Sequence, residues 1–299
     1  MARAASGILG SSIAAGGTVK EDGTLYDVNG LHMHVASAGE GPPVLLLHGF
    51  PDTHVVWRKQ MGPLAEAGFR VIAPDLRGYG QTDAPSHVQS YGLDSLRNDV
   101  LGLLDLLHID KVRLVGHDWG AIIGWSLCME APGRVERFVA LSSGHPSALE
   151  HAGLLQRLKM LYVFGFAVPG LAEHTLKAAN WLVIRKFTRD RTQIGYWRRN
   201  LRPPGRLTAA LNYYRANLKL GLPQHWPPVT VPVMGVWSDG DPVLGEEQMR
   251  DSGRYVEAGF RFERIEGADH WLQLTAADKL NTLLLDYFSA TPKPYSAAA

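Results

Sequence analysis

A short apolar strand, Val112 to Val115, runs into Gly116-His117-Asp118-Trp119-Gly120, and an apolar helical stretch follows with no spacer. A strand that turns this abruptly into a helix needs small residues two before and two after the residue at its apex, because larger side chains do not fit the turn. The rest of the chain has a rhythm that accommodates such a unit. Pro43–Leu47 and Phe69–Ala73 read as buried strands. Leu93, Leu96, Val100, Leu103, Leu104 and Leu107 fall at helical spacing and predict a helix from about Leu93 to His108. Trp119–Ala131 reads as a helix, Arg137–Leu141, Pro232–Trp237 and Arg261–Ile265 as strands, and Leu272–Phe288 as a closing helix. Strands that alternate with helices imply right-handed crossovers and a mostly parallel sheet, an α/β fold.

The stretch from Gly144 to Pro228 breaks the rhythm. It holds apolar helical pieces, few strand-like runs, and Gly/Pro-rich ends (SSGHP and LPQHWPPVTVP). It is read as a helical cap, residues 144–228, inserted into a core made of residues 21–143 and 229–290. Residues 1–20 and 291–299 are read as flexible tails. The cap carries 13 Lys and Arg against 3 Asp and Glu, which leaves 17 against 26 in the remainder. That asymmetry fits either a basic cap docked on an acidic body or a solvated basic surface. The whole chain has a formal charge of only +1, so no global basic field points to nucleic acid. No apolar run reaches the roughly 20 residues of a membrane span. The single cysteine, Cys128, excludes an intramolecular disulfide and reads as a small core residue.

The residue at the apex of the turn sets the chemistry. Such elbows usually carry serine, and here the position is Asp118; the alternative is an aspartate that caps the following helix. A carboxylate is already ionised at neutral pH and needs no base before it attacks. It suits displacement at a saturated carbon that bears a leaving group, and the product is an ester that water must then break. Upstream, His48-Gly49-Phe50-Pro51-Asp52 follows a strand, so the Phe50 N–H and the Trp119 N–H are candidates for an oxyanion hole. An acid and then a histidine are expected later in the chain. Of 12 histidines only His270 follows the last strand. The loop Ser238-Asp239-Gly240-Asp241-Pro242 offers two acids, and Asp241 is favoured over Asp239. His117 is expected to point away from the apex.

The order of HGFPD, GHDWG, DPVL and DHW resembles the epoxide hydrolase and haloalkane dehalogenase branch of the α/β-hydrolases, over nearly all the chain beyond Thr24. The resemblance implies an α/β-hydrolase fold with an inserted cap. It also implies two cap tyrosines that donate protons to an epoxide oxygen. Tyr162, which precedes Pro169-Gly170, and Tyr214, in Asn212-Tyr213-Tyr214-Arg215, match those contexts, with Tyr213 as a near decoy. Haloalkane dehalogenases usually carry Asn or Glu after the first His-Gly, where this chain has Phe50, and fluoroacetate dehalogenases usually have Arg where this chain has Trp119. Both departures favour an epoxide. The expectation is therefore a cytoplasmic epoxide hydrolase, monomer or homodimer, acting on small apolar epoxides with water and without metal or organic cofactor. Phe50, Pro51, Trp57, Trp119 and Trp271 are expected to help form an apolar pocket. The alternatives are a dehalogenase with the same Asp-His-Asp set and a non-catalytic receptor of the same fold.

Overall fold

The computed structural model describes residues 20–151, 153–181, 188–221 and 224–290. The tails expected at 1–20 and 291–299 lie outside the described residues except for Lys20, which opens the first strand. Eight strands form one sheet in the order β1-β2-β4-β3-β5-β6-β7-β8. These are β1 (Lys20–Val28), β2 (Leu31–Ala38), β3 (Pro43–Leu47), β4 (Arg70–Pro74), β5 (Val112–His117), β6 (Val135–Leu141), β7 (Val233–Ser238) and β8 (Phe260–Ile265). From β4 across to β8 every pairing is parallel, as the alternation of strands and helices requires.

The first two strands form an antiparallel hairpin that periodicity did not reveal, and β2 pairs antiparallel to β4. A local signal was present. Asn29 and Gly30 turn the chain with φ of 55° and 75°, and two positive φ values in a two-residue loop are what Asn-Gly accommodates.

The helices α1 (Met61–Glu66), α2 (Leu93–Leu106), α3 (Trp119–Glu130) and α4 (Pro146–Glu150) come before the cap is complete. Helix α2 stops two residues short of His108, which takes a left-handed φ of 54°. Helix α3 buries residues on all its faces, from Trp119 to Met129, so it sits inside the molecule against β5 and β6. Its Cys128 is buried, as a small core residue should be.

Between β6 and β7 the described residues form helices and no strand. They include α5 (Leu154–Lys159), α6 (Leu161–Ala167), α7 (Leu171–Lys177), α8 (Arg191–Leu201) and α9 (Arg206–Ala216). Helix α10 (Glu246–Asp251) lies between β7 and β8. The closing helix is broken into α11 (Leu272–Thr275) and α12 (Ala277–Ser289). The break falls at Ala276, with φ −136° and ψ 41°. Just before it, Thr275 Oγ1 donates back to Asp269 and to the Trp271 carbonyl, holding the first turn to the preceding loop.

Strand β3 lies between β4 and β5, so the chain leaves it in opposite directions on its two sides. In open α/β sheets such a switch point, at the carboxyl ends of the strands, is where ligands bind. Leu47 pairs with Gly116 there, which brings the loop after β3 beside the turn after β5.

Candidate active site

Asp118 occupies the turn between β5 and α3 with φ 53° and ψ −118°, a strained conformation for a residue with a side chain. The flanking glycines make the turn possible. A Cβ on Gly116 would lie 2.3 Å from the Gly120 carbonyl oxygen, and one on Gly120 would lie 2.0 Å from the Leu47 carbonyl oxygen. The Asp118 side chain makes no capping hydrogen bond to α3, which disposes of the capping alternative. It turns instead toward the loop after β3. There the Phe50 N–H donates to Asp118 Oδ1 at 2.8 Å, and the Trp119 backbone N–H also stabilises the carboxylate. Burial would raise the Asp118 carboxyl, but His270 and these donors outweigh it and hold it below the usual carboxylate range.

His270 Nε2 stands 3.8 Å from Asp118 Oδ2, an ion-pair distance that is too long for a direct hydrogen bond. Its Nδ1 meets Asp241 Oδ2 at 2.7 Å, and Asp241 Oδ1 accepts from the N–H groups of Val243 and Leu244. Burial works against charge on the imidazole, yet the two carboxylates push His270 up to about 10. Asp239 faces elsewhere: it accepts from the Gly267 N–H and pairs with Arg264. Asp241→Asn is therefore expected to slow His270-dependent turnover by about 10²- to 10⁴-fold, as loss of the orienting carboxylate does in comparable triads. Asp239→Asn is expected to change it by about twofold or less, since it touches only a surface turn. Steady-state turnover of the two variants checks the assignment, and the reverse ranking would show that Asp239 is the orienting acid.

His117 does more than point away from the turn. Its Nε2 donates to the His270 carbonyl at 2.9 Å, and its ring lies 4.8 Å from the His270 ring. Ser142 Oγ donates to the same carbonyl at 3.1 Å. Burial and the neighbouring His270 charge hold His117 down at about 3, so it is a neutral donor. Its adjacency to Asp118 in sequence concealed this, because the contact is with a residue 153 positions away.

Phe50, Pro51, Asp118, Tyr162, Phe166, Tyr214, Val243, His270 and Trp271 line one small cavity of about 30 Å³. Tyr162 on α6 and Tyr214 on α9 both face it, their ring centres 6.4 Å apart. Burial, with the Asp118 charge added, pushes both phenols well up, so both remain proton donors. Tyr213 turns away and donates to the Arg77 carbonyl at 2.8 Å. The Trp119 ring packs edge-on against Tyr214, supporting it from behind.

Trp119 is not among the cavity's lining residues, contrary to expectation, and neither is Trp57. Trp57 ends a 3₁₀ turn, His54–Trp57, that packs on β3 and β4, so its ring is fully buried in the core. Phe166 and Val243 were missed. Phe166 lies one helical turn after Tyr162 and so shares its face. Val243 follows Asp241 by two residues and is carried in with it.

Two other features stand apart from this cavity. A groove of about 950 Å³ on the cap is lined by Lys177, Trp181, Arg198, Arg199 and Arg202 among others, and none of the groups around Asp118 reaches it. These basic residues are exposed and do not dock the cap onto an acidic body. A cap-to-core ion pair that is present, Arg58 with Asp190, has the opposite polarity. The second feature is a group formed by His34, His54 and Asp75, whose possible metal-ligating atoms lie within 4.8 Å of one another. Asp75 accepts from both imidazoles and from the His54 N–H. It is read as a hydrogen-bonded brace that ties the loop after β3 to β2 and β4. Sequence spacing could not show it, because its members come from three separate elements.

Comparison with known proteins gives the setting for this geometry. The α/β hydrolase fold family profile matches residues 42–277. Human epoxide hydrolase 4 is 35% identical over 276 residues, which cover 86% of this chain and 75% of that protein. The Bacillus subtilis AB hydrolase superfamily protein YfhM is 33% identical over 87% of this chain and 96% of its own. Among solved structures, an epoxide hydrolase from Vigna radiata superposes with a TM-score of 0.77 at 33% identity, covering 91% of this chain and 99% of that one. Potato epoxide hydrolase I does so with a TM-score of 0.77 at 30% identity, over 89% and 98%.

Proposed function

Because this chain belongs to the α/β-hydrolase family, in its epoxide hydrolase branch, we propose that it hydrolyses epoxides to vicinal diols through a covalent ester on Asp118. The observation that carries the reading is a single cavity lined by an ionised elbow carboxylate, two protonated tyrosines and a histidine.

An Asp118 oxygen attacks the less hindered ring carbon, and the carbon–oxygen bond of the ring breaks. The oxygen that leaves would be a poor alkoxide, so Tyr162 or Tyr214 supplies a proton to it. His270 enters this step as a cation held by Asp241 and Asp118. Once Asp118 is an ester its charge is gone, and one of the two carboxylates that stabilise the imidazolium is lost. His270 then gives up a proton, which balances the one taken from the tyrosine. As a neutral base it draws a proton from water, and the hydroxide attacks the ester carbonyl. The Phe50 and Trp119 N–H groups receive the oxyanion, since they already point at the carboxylate from which it forms. The alkyl oxygen leaves with a proton from His270, and the carboxylic acid formed at Asp118 passes its proton to His270, which restores the starting carboxylate and imidazolium. The residues around the cavity account for each of these steps without a cofactor.

An assay with styrene oxide and a panel of haloalkanes tests the reading. Diol formation with no halide release is expected. Halide release without diol would replace the proposal with a dehalogenase, and no turnover of either class would favour a receptor.

A further inference from the structure

Beside the reacting groups lies a buried carboxylate that the chemistry above does not use. Asp52, the last residue of the HGFPD run, is fully buried. Its Oδ1 accepts from the indole N–H of Trp197 at 2.5 Å and from Gln193 Nε2 at 2.6 Å. Its Oδ2 accepts from the indole N–H of Trp271 at 2.7 Å. Trp197 and Gln193 belong to the cap helix α8, and Trp271 is the residue after His270. One carboxylate thus joins three parts of the molecule: the oxyanion loop, the cap and the histidine loop.

The join is reinforced on both sides. Arg58 holds Gln193 Oε1 at 2.7 Å and Asp190, the N-cap of α8, at 2.9 Å. Asp269, just before His270, accepts from the Arg189 N–H of the cap through Oδ2 and from the Trp271 N–H through Oδ1. The Trp271 ring is 4.7 Å from Trp197 and 4.9 Å from His270, centre to centre. The cavity beside this join is narrow, about 30 Å³.

We propose that Asp52 is a positioning residue that couples the seating of the cap helix Arg191–Leu201 to the orientation of His270. Only a carboxylate satisfies the arrangement. All the hydrogen-bonding partners named are donors, and they use both oxygens; an amide offers one acceptor and turns its NH₂ toward an indole N–H. The burial of this anion among neutral donors, with Asp118 nearby, lifts it to about 6, which leaves it ionised at neutral pH. The coupling acts on ester breakdown, where His270 and the oxyanion loop are both needed. Attack by Asp118 on the ring depends more on Tyr162 and Tyr214, which stand on α6 and α9 and not on α8.

The test compares Asp52→Asn with Trp197→Phe, which removes one cap donor and keeps an aromatic ring. Hydrogen exchange is followed in residues 191–201 and 271–275 with no substrate present. Both variants are expected to exchange faster by about tenfold or more in both segments, although Trp197→Phe keeps an aromatic ring beside Trp271 and removes only the hydrogen bond to Asp52. In single turnovers with an epoxide, ester breakdown is expected to slow about tenfold or more while alkylation changes about threefold or less. If Trp197→Phe leaves residues 271–275 as protected as in the wild type, the coupling is absent and the proposal fails, even should Asp52→Asn not fold. Equal slowing of both chemical steps would overturn it too, by reducing Asp52 to a structural residue. The kinetic arm rests on the epoxide reading, but the exchange arm does not. A wild type inert toward epoxides would therefore sink that reading and leave exchange to decide the coupling.

Discussion

The His270→Gln protein, mixed with an epoxide, is expected to gain the mass of one epoxide molecule and keep it. The modified peptide should contain Asp118. The reason is an asymmetry between the two halves of the reaction. A carboxylate held below the usual range needs no base to attack, whereas water needs one to attack the ester. Removing the histidine should therefore slow overall turnover on the order of 10³-fold while the first step continues. Asp118→Ala should take up no epoxide at all. Isotope labelling provides the complementary measurement. In a single turnover of wild type in ¹⁸O-water the label should enter the Asp118 carboxylate, because water attacks the carbonyl carbon and not the alkyl carbon. The first diol should then carry an unlabelled oxygen from Asp118. Label in the first diol with none in Asp118 would mean direct attack of water on the ring. Asp118 would then be a general base, and the covalent route would have to be abandoned.

The second large effect is expected from the cap. Tyr162→Phe or Tyr214→Phe alone should slow alkylation by roughly 10²-fold or less, because the remaining phenol still donates to the ring oxygen. The double variant should lose nearly all of it, since both protonated phenols that line the cavity are then gone. Burst measurements of ester formation would separate this from any effect on ester breakdown. Packing is a minor concern here: both rings stay, and the Tyr214 contacts with Phe50 and Trp119 are made by its ring. A double variant that alkylates at the wild-type rate would remove the tyrosines from the mechanism. Tyr213→Phe acts as a contrast, because its hydroxyl serves the Arg77 carbonyl and lies outside the cavity.

The features that could be read along the chain were those imposed by local geometry. The turn at Asp118 demands glycines at fixed offsets, since a Cβ at Gly116 or Gly120 would meet backbone within 2.3 Å. That constraint is written in five consecutive residues, as is the carboxylate at their centre. Strands buried on both faces read as short apolar runs, and most core strands were placed within a residue or two for that reason. The N-terminal hairpin escaped because β1, KEDGTLYDV, carries too many polar residues to stand out by hydrophobicity. Its Asn29-Gly30 turn was the better signal.

What the chain by itself determined was the α/β layout, the carboxylate at the elbow and a histidine after the last strand. Each follows from a rule that operates over a few residues. The chain favoured Asp241 over Asp239 and Tyr214 over Tyr213 by spacing and motif context, but the contacts that separate each pair, and the burial of Trp57 in the core, belong to the tertiary structure. It alone revealed His117 beneath the His270 backbone and Asp52 between the cap and Trp271. Asp239 and Asp241 are chemically identical and two residues apart, yet one accepts from His270 and the other from a surface turn. Asp52 meets its donors 141, 145 and 219 residues further along. Hydrogen bonds of a few ångströms between such distant positions leave no periodicity in the sequence, because their geometry exists only once the sheet, the loops and the cap have been packed together.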